Sequence, residues 1–486
     1  MAKFALAADN PSSRCRTRGS RVASSRMRLT TLVWLLGGAS ALSAQSVPPP
    51  LPAPPLVVPA QPIGRWTPVP ELPGMGRAVD TATVAARRRA LARAIRSGIV
   101  LIPAAHERSI ERDHAQDSDF RQSNTFFYFT QLETHDAWLV LTVAADTGHT
   151  TLFLEPRDTS EERWTGIQLG PDSVAASLSG IPDIVTGDSL AERFSALAAA
   201  KGGGPVFLPL DDATADEQRN VQAAFAGQEV RDLGPVADSL RLVKDAGELK
   251  RLQTAIDITV QGLKAVMRAA RPGMWEYQLE AVLEGTFRAN GADRVGFPSF
   301  VGSGPNGTTL HYDANRRQTR AGELVAVDAG AEWGQYTADV TRTFPVSGRF
   351  TARQKAVYDL VLATQRAAFD SVRPGVRLRD IDALARRYMK QHSGKLCGKL
   401  SCDVYFVHGL SHWLGMDVHD PGDVGAPFAP GMVLTIEPGI YLPAESLGIR
   451  IEDDVVVTAT GAAWLTDGAP RTTEAIEQLM SCPSCP

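Results

Sequence analysis

Apolar and polar residues alternate through residues 323–344, ELVAVDAGAEWGQYTADVTRTF, and this spacing predicts two β-strands. Two acids, Asp328 and Asp339, interrupt the apolar runs and lie equally far from Trp333 and Gly334, where we expect a turn. A hairpin folded there would place the acids opposite each other, with Cβ atoms roughly 4.5–5.5 Å apart. Carboxylates that close repel, so one is protonated or a cation lies between them. A solvated strand face is the alternative, which the depletion of Asp in strands disfavours.

The pattern before this segment predicts an α/β region in which no group of residues is typical of a catalytic centre. A helix begins near Thr83, and a strand follows at Gly98. Two further strands flank a turn at 146–148, where Asp, Thr and Gly are good hairpin residues. One more strand begins at Pro205, and the region ends near Ser239.

The pattern on either side of the hairpin predicts a second region of long helices and antiparallel strands, which is an α+β arrangement. One helix starts at a capping box formed by Thr351 and Gln354. The predicted elements are helices at 245–270, at 276–289, after 351 and at 378–391, and strands at 433–442 and 448–458.

The amino terminus has the pattern of a secretory signal. An Arg-rich stretch, 1–28, precedes an apolar run, 29–42, that ends in small residues, so we expect cleavage around 41–44. The run is shorter than the roughly 20 residues of a membrane span, so no stable span is predicted, although a retained anchor is the alternative. Met27 would also serve as the start of a signal. We therefore expect a secreted or periplasmic protein.

Composition adds two limits. The 486 residues have room for two or three domains, and a net charge of −4 gives no electrostatic reason to expect nucleic acid as a partner. Cys15 is lost with the signal, and the remaining cysteines form two close pairs, Cys397 with Cys402 and Cys482 with Cys485. In an exported chain such pairs predict two local disulfides. A zinc site is the alternative, but the spacing fits it poorly.

Three further segments place polar groups where strands or turns are predicted. One holds three histidines, and the other two each hold a glutamate within an apolar run; these residues are His408, His412, His419, Glu437 and Glu452. A buried acid without a partner costs several kcal/mol, so each one requires a cation or a hydrogen-bond partner. A structural ion pair would explain any single acid, but less readily all of them together. Asp417, between the histidines, is interpreted as a support for its loop.

These residues resemble a known family. The order Asp, Asp, His, Glu, Glu, in the contexts DAG, DVTRTF, HGLSHWLG, TIEPG and RIEDD, is similar to the pita-bread metallopeptidases, specifically the Xaa-Pro aminopeptidases (aminopeptidase P). Residues 119–141 resemble the creatinase-like amino-terminal domain of those enzymes. One difference is that this chain has QLETHDAW where the family usually has a turn that contains Gly and Pro. The resemblance covers nearly the whole mature chain. It implies a creatinase-like α/β domain followed by a pita-bread α+β catalytic domain.

The expected domain limits follow from the pattern and the resemblance together. They are a signal region at 1–45, a proline-rich linker at 46–65, the amino-terminal domain at 66–240, the catalytic domain at 241–476 and a cysteine-containing tail at 477–486.

The resemblance implies a dinuclear metal centre with five ligands, namely Asp328, Asp339, His412, Glu437 and Glu452. Four carboxylates and one imidazole form a hard, oxygen-rich set, which favours two manganese ions over zinc or copper. In the family arrangement Asp339 and Glu452 bridge the ions. Two such ions share a hydroxide and polarise the scissile carbonyl. Glu437 is also expected to handle the proton of the nucleophile.

The resemblance also implies residues around the ions. His311, His408 and His419 are expected to contact substrate and assist catalysis, Arg450 to meet the bridging acids or the substrate, and Tyr441 to line the site. A hydrogen-bonded core role is the alternative for each histidine and for Tyr441.

The resulting prediction is an exported dinuclear-metal aminopeptidase that hydrolyses the first peptide bond of peptides with proline second, through a metal-bridging hydroxide. Prolidase, which cleaves Xaa-Pro dipeptides, has the same ligands and is the nearest alternative. A pita-bread protein that only binds is a third, disfavoured by five competent ligand positions. Methionine aminopeptidase is disfavoured by the large preceding domain. By the same resemblance we expect a homo-oligomer, a dimer or tetramer.

Overall fold

The structure is a computed structural model, and it describes residues 76–107, 120–160, 162, 166–199 and 204–482. The predicted signal region, the proline-rich linker and Cys485 lie outside these residues, so their predictions remain predictions. Within the described ranges no helix is both long and apolar enough to cross a bilayer.

The amino-terminal part forms the α/β layer that the pattern predicts. Its elements are α1 (Thr81–Ile95), β1 (Gly98–Pro103), α2 (Asn124–Thr130), β2 (Trp138–Ala144), β3 (Thr147–Leu154), α3 (Ser173–Ser179), β4 (Asp183–Thr186), α4 (Leu190–Ala199), β5 (Val206–Leu208), α5 (Ala215–Ala224), β6 (Val230–Asp232) and α6 (Gly234–Arg241). The strands make one mixed sheet in the order β4-β3-β2-β1-β5-β6. Strand β1 is buried along its whole length, because helices cover the sheet on both sides of it.

The carboxy-terminal part has the predicted long helices and antiparallel strands. Its elements are α7 (Ala246–Ala269), α8 (Glu276–Ala289), β7 (Arg294–Val295), β8 (Phe300–Ser303), β9 (Leu324–Ala329), β10 (Ala331–Trp333), β11 (Tyr336–Thr337), β12 (Val340–Pro345), α9 (Ala352–Phe369), α10 (Leu378–His392), β13 (Val433–Ile436), β14 (Gly439–Leu442), β15 (Leu447–Arg450), β16 (Asp453–Val457), β17 (Ala462–Trp464) and α11 (Thr473–Ser481). The predicted capping box starts α9, where Thr351 and Gln354 bond each other's backbone.

The register predicted for the hairpin at 323–344 is wrong by two residues. Trp333 pairs with Tyr336, so the turn lies at Gly334 and Gln335, both with positive φ, and Asp328 faces Thr341 rather than Asp339. A tight two-residue hairpin turn needs left-handed residues, and Gly adopts that conformation at no steric cost. Since the shift is an even number of residues, both acids remain on one face of the hairpin.

The turn predicted at 146–148 is also misplaced. Ala144 pairs with Thr147, and the turn residues are Ala145 and Asp146, both with positive φ. The sequence signal here was Gly148, which lies inside β3 instead.

The two long strands predicted near the carboxy terminus are each broken in two. Strand β13 pairs with β16, and β14 pairs with β15. The register is the same in both pairs, but the ladder between them is interrupted at 437–438 on one side and 451–452 on the other. Pro438 cannot donate a backbone hydrogen bond, which favours an interruption there. The break contains two of the predicted metal ligands.

One predicted disulfide falls within the described residues and is confirmed, between Cys397 and Cys402. It closes the turn that follows α10, and the next residues, Cys402–Tyr405, form a 3-10 turn packed against β14. The disulfide therefore fixes the chain shortly before His408.

Candidate metal centre

Three of the predicted carboxylate ligands lie at positions where a strand ladder opens. Glu437 and Glu452 lie opposite each other in the interruption between the β13–β16 pair and the β14–β15 pair. Asp339 lies in the gap between β11 and β12. Their backbone N–H groups donate outside the ladder. Glu437 donates to Leu410 (2.9 Å) and Glu452 to Thr341 (3.1 Å). These bonds join the two hairpins and the histidine segment, which is why acids distant in sequence converge.

Asp339, His412 and Glu452 form a possible metal site, with one potential ligand atom of each within 4.8 Å of the others. His412 Nε2 lies 3.3 Å from Asp339 Oδ2 and 4.0 Å from Glu452 Oε1. His412 Nδ1 lies 3.0 Å from the carbonyl oxygen of Trp413 and therefore carries the hydrogen of that bond. The lone pair of a neutral His412 thus lies at Nε2, facing carboxylates, which is favourable only with a cation or a proton between them.

Glu437 extends this group toward His408. Its Oε1 lies 3.6 Å from His412 Nε2, and its Oε2 lies 3.5 Å from His408 Nδ1. Burial, reinforced by the positive charge of Arg450, lowers the pKa of His408 to about 4, so its ring is neutral. Its Nδ1 is 2.8 Å from the Gly409 carbonyl and donates there, so Nε2 accepts from the Tyr441 hydroxyl at 2.8 Å.

Asp328 is held by Arg450, which was expected to meet the substrate or the bridging acids, Asp339 and Glu452, and bonds a different acid of the cluster instead. Arg450 Nη2 donates to Asp328 Oδ2 (2.7 Å), Nη1 to the Tyr441 hydroxyl (2.9 Å) and Nε to the Thr341 hydroxyl (3.0 Å). Asp328 Oδ1 and Asp339 Oδ1 are buried and have no hydrogen-bond partner among the described residues. Buried carboxylate oxygens without partners are costly, so these two atoms are further candidates to bind a cation.

The remaining predicted histidines lie near the same place. The His419 ring is 4.3 Å from the His412 ring, edge to face. Burial lowers the pKa of His419, and the neighbouring His412 and His311 lower it further. Phe300 connects His311 to the cluster, because it pairs with Asp328 between β8 and β9. His311 stacks on Phe300 with ring centroids 5.1 Å apart.

The electrostatics of the metal-free cluster are unfavourable. Burial raises the pKa of Asp339 well above its usual range, and the neighbouring Asp328 raises it further. Burial also raises the pKa of Glu452 well above its usual range, and the negative charge of Asp339 raises it further. Burial raises the pKa of Glu437 to about 7, although His412 opposes the shift. These carboxyl groups bind protons readily because they are buried and lie beside one another.

Two residues of the cluster were missed in the sequence. The Thr341 hydroxyl donates to Glu452 Oε2 at 2.7 Å while accepting from Arg450. Asp454 is fully buried, and its Oδ2 accepts from the Asp339 backbone N–H at 3.2 Å. Strand alternation from Glu452 pointed to Asp454, since residues two apart share a face. Thr341 could be found only from the correct hairpin register.

Comparison with known proteins agrees with this arrangement. Residues 250–459 match the model of metallopeptidase family M24, and residues 84–206 match that of the aminopeptidase P N-terminal domain. Xaa-Pro aminopeptidase of Escherichia coli is 36% identical over 428 residues, which is 81% of this chain and 96% of that protein. Human Xaa-Pro aminopeptidase 3 is 32% identical, over 74% of this chain and 77% of that protein.

Solved structures give the same result for the fold. Zn-substituted E. coli aminopeptidase P in complex with product superposes with a TM-score of 0.78 at 33% identity, covering 84% of this chain and all of that one. Proline aminopeptidase P II from Yersinia pestis superposes with a TM-score of 0.76 at 33% identity, covering 83% of this chain. The predicted creatinase-like domain followed by a pita-bread domain is confirmed. The chain therefore belongs to metallopeptidase family M24, in its aminopeptidase P branch, and is a metallo-aminopeptidase.

Proposed function

We propose that this enzyme hydrolyses the first peptide bond of peptides whose second residue is proline, and that it does so with two divalent ions. The observation that carries the proposal is the convergence of Asp339, His412 and Glu452 on one point, with Glu437 and Asp328 beside them. The relatives named Xaa-Pro aminopeptidase support the substrate class.

The donor set fits two hard dications. Four carboxylates lie together with Arg450 as the cation that bonds one of them directly, so the cluster has an excess of negative charge. Within the described residues, Asp328 Oδ1 and Asp339 Oδ1 have no hydrogen-bond partner, and His412 Nε2 faces the carboxylate oxygens of Asp339 and Glu437, so these atoms are available to bind a cation. Oxygen donors with a single imidazole suit manganese, so we propose that Asp328, Asp339, His412, Glu437 and Glu452 hold two Mn²⁺ ions.

When bound, such ions supply an activated water and polarise the scissile carbonyl. The protein's own residues do the remaining work. Glu437 accepts and returns the proton of the attacking water, because its carboxylate lies within the cluster, 3.6 Å from His412 Nε2. Arg450 fixes Asp328, and Tyr441 fixes the neutral ring of His408. We assign His408, His419 and His311 to contacts with the substrate, and His419 and His311 also to the oxyanion that forms on it.

Turnover of three synthetic peptides tests the substrate class. We expect Mn²⁺-loaded enzyme to cleave the tripeptide Ala-Pro-Ala, and to do so faster than the dipeptide Ala-Pro. Ala-Ala-Ala is the matched control for proline at the second position and should be cleaved much more slowly. Turnover of the dipeptide alone would assign the enzyme as a prolidase, and no turnover of any peptide would favour a binding role.

We also propose that the protein is exported and forms a homo-oligomer. The predicted signal and the disulfide between Cys397 and Cys402 support export, because disulfides persist in oxidising compartments. Cell fractionation with sequencing of the mature amino terminus tests export, and a cytosolic, uncleaved protein would contradict it. Light scattering on the purified enzyme tests the oligomer, which we expect to be a dimer or tetramer.

A further inference from the structure

The segment from Trp413 to Asp420, here called the histidine loop, returns on itself beside the candidate metal centre. The backbone N–H of Asp420 donates to the Trp413 carbonyl at 3.0 Å, and the same oxygen accepts from His412 Nδ1 at 3.0 Å. One carbonyl therefore closes the loop and orients the ring of His412. The loop closure also brings His419, the neighbour of Asp420, against that ring.

The carboxylate of Asp420 lies at the centre of this closure, and its side chain is 1% exposed. It accepts from Arg241 Nη2 (2.6 Å), from Lys244 Nζ (2.9 Å) and from the backbone N–H of Asp417 (3.3 Å). Burial alone would raise the pKa of Asp420, but Lys244 and Arg241 outweigh burial and lower it, so the group stays ionised. Gly415 leaves it room, since a Cβ there would lie 2.4 Å from Asp420 Oδ2.

Residues of the amino-terminal layer bind the histidine loop through hydrogen bonds and an ion pair. Arg241 is the last residue of α6, and its Nη2 also lies 3.2 Å from Asp417 Oδ2. Asn124, the first residue of α2, donates to Asp417 Oδ2 at 2.7 Å, and Arg121 donates to the Met416 carbonyl at 2.6 Å. Leu414 and Met416 belong to one apolar cluster with the phenylalanines of α2. The loop is thus clamped between the two parts of the molecule.

We propose that Asp420, held by Arg241 and Lys244, is a positioning residue for catalysis, through which the amino-terminal layer fixes the orientation of His412 and the place of His419. The roles of those two histidines rest on the proposed function. The two cations hold the Asp420 side chain, its backbone holds the Trp413 carbonyl, and that carbonyl holds the proton-bearing nitrogen of His412. The other ring nitrogen of His412 is thereby kept toward the carboxylates.

A double-mutant cycle on the full chain tests this inference. We would measure Mn²⁺ affinity by calorimetry for wild type, Asp420→Asn, His412→Ala and the double variant. We expect Asp420→Asn to weaken Mn²⁺ binding roughly 10–100-fold, which is the usual effect of substituting a residue that orients a metal ligand. In the His412→Ala background, Asp420→Asn should cause no further loss of affinity. Binding equal to wild type, or an equal loss in both backgrounds, would overturn the proposal, because a merely structural role adds independently.

Leu101→Ala is the control variant, since Leu101 is buried in the amino-terminal sheet and belongs to a separate cluster. It should lower thermal stability and leave Mn²⁺ affinity unchanged. Deuterium exchange of residues 413–420 adds a readout that needs neither metal nor activity. Asp420→Asn should accelerate it and Leu101→Ala should not; equal rates in both variants would overturn the proposal.

Three further outcomes can be distinguished. If Asp420→Asn does not fold, Asn124→Leu replaces it, and it should give faster exchange and weaker Mn²⁺ binding than Leu101→Ala; no difference overturns the proposal. A wild-type enzyme that follows the predicted cycle but cleaves no Xaa-Pro peptide refutes the proposed function and leaves the positioning role standing. If wild type binds no Mn²⁺, the metal centre fails and the exchange of 413–420 decides the positioning role.

Discussion

Removing divalent ions should change how the stability of this protein depends on pH. Without a cation, burial raises the pKa of Glu437 from 4.5 to about 7 and raises those of Asp339 and Glu452 well above normal. At pH values between 4.5 and about 7, the folded state therefore binds more protons than the unfolded state. The free energy of unfolding of metal-free protein therefore falls as pH rises through that window. A shift of this size for Glu437 alone corresponds to about 3 kcal/mol.

Bound dications replace those protons, so the stability gained from Mn²⁺ should grow as pH rises. We would measure urea unfolding between about pH 5 and about pH 7.5, with excess Mn²⁺ or with chelator, and plot the difference in unfolding free energy. Groups remote from the cluster, such as His106 and His135, whose pKa values their carboxylate partners raise, cancel in that difference. We expect the difference to increase by about 3 kcal/mol or more across the range.

Glu437→Gln is the matched variant, because it removes one titrating group and keeps nearly the same shape. Its difference curve should be flatter by about 3 kcal/mol than that of wild type. A difference that is constant with pH, or metal-free protein that gains stability as pH rises through this window, would refute the electrostatic account of the cluster.

Three further predictions concern the supports of the site. Tyr441→Phe removes the hydroxyl between Arg450 and His408, so kcat/KM for Ala-Pro-Ala should fall roughly 10–100-fold with little change in Tm; an unchanged value would contradict the assigned role. Arg342→Leu removes a fully buried guanidinium that donates to Asp453 and to three backbone carbonyls. Urea unfolding should therefore show a loss of about 3–5 kcal/mol, and a loss below about 1 kcal/mol would contradict this. Replacing Cys397 and Cys402 by Ser should cost about 2 kcal/mol, and an unchanged Tm would argue against it.

Much of the fold could be predicted from local signals. The capping box at Thr351 fixed the start of α9, and the apolar spacing fixed α8 at 276–289, as observed. The two hairpin turns could not be placed as well. In one hairpin Gln335, and in the other Ala145 and Asp146, adopt positive φ without being glycine. Of these three residues, only Asp is of a type enriched in that conformation. Turn geometry, not composition, decided those registers.

The site itself was predicted from its acids rather than from its geometry. Asp328 and Asp339 attracted attention as neighbours across a hairpin, yet Asp339 lies in a gap of the ladder and meets His412 and Glu452 instead. The contacts that bring them together are backbone bonds between segments about 110 residues apart, such as Glu452 N–H to the Thr341 carbonyl. The periodicity of a single segment contains no information about such a bond. The prediction that these five residues converge therefore rested on the family resemblance.

Anomalous diffraction from a crystal grown with Mn²⁺ tests the central claim most directly. The account predicts two anomalous peaks, both within coordinating distance of side chains from the set Asp328, Asp339, His412, Glu437 and Glu452. A single peak elsewhere on the molecule, or no peak among these five residues at saturating Mn²⁺, would contradict it.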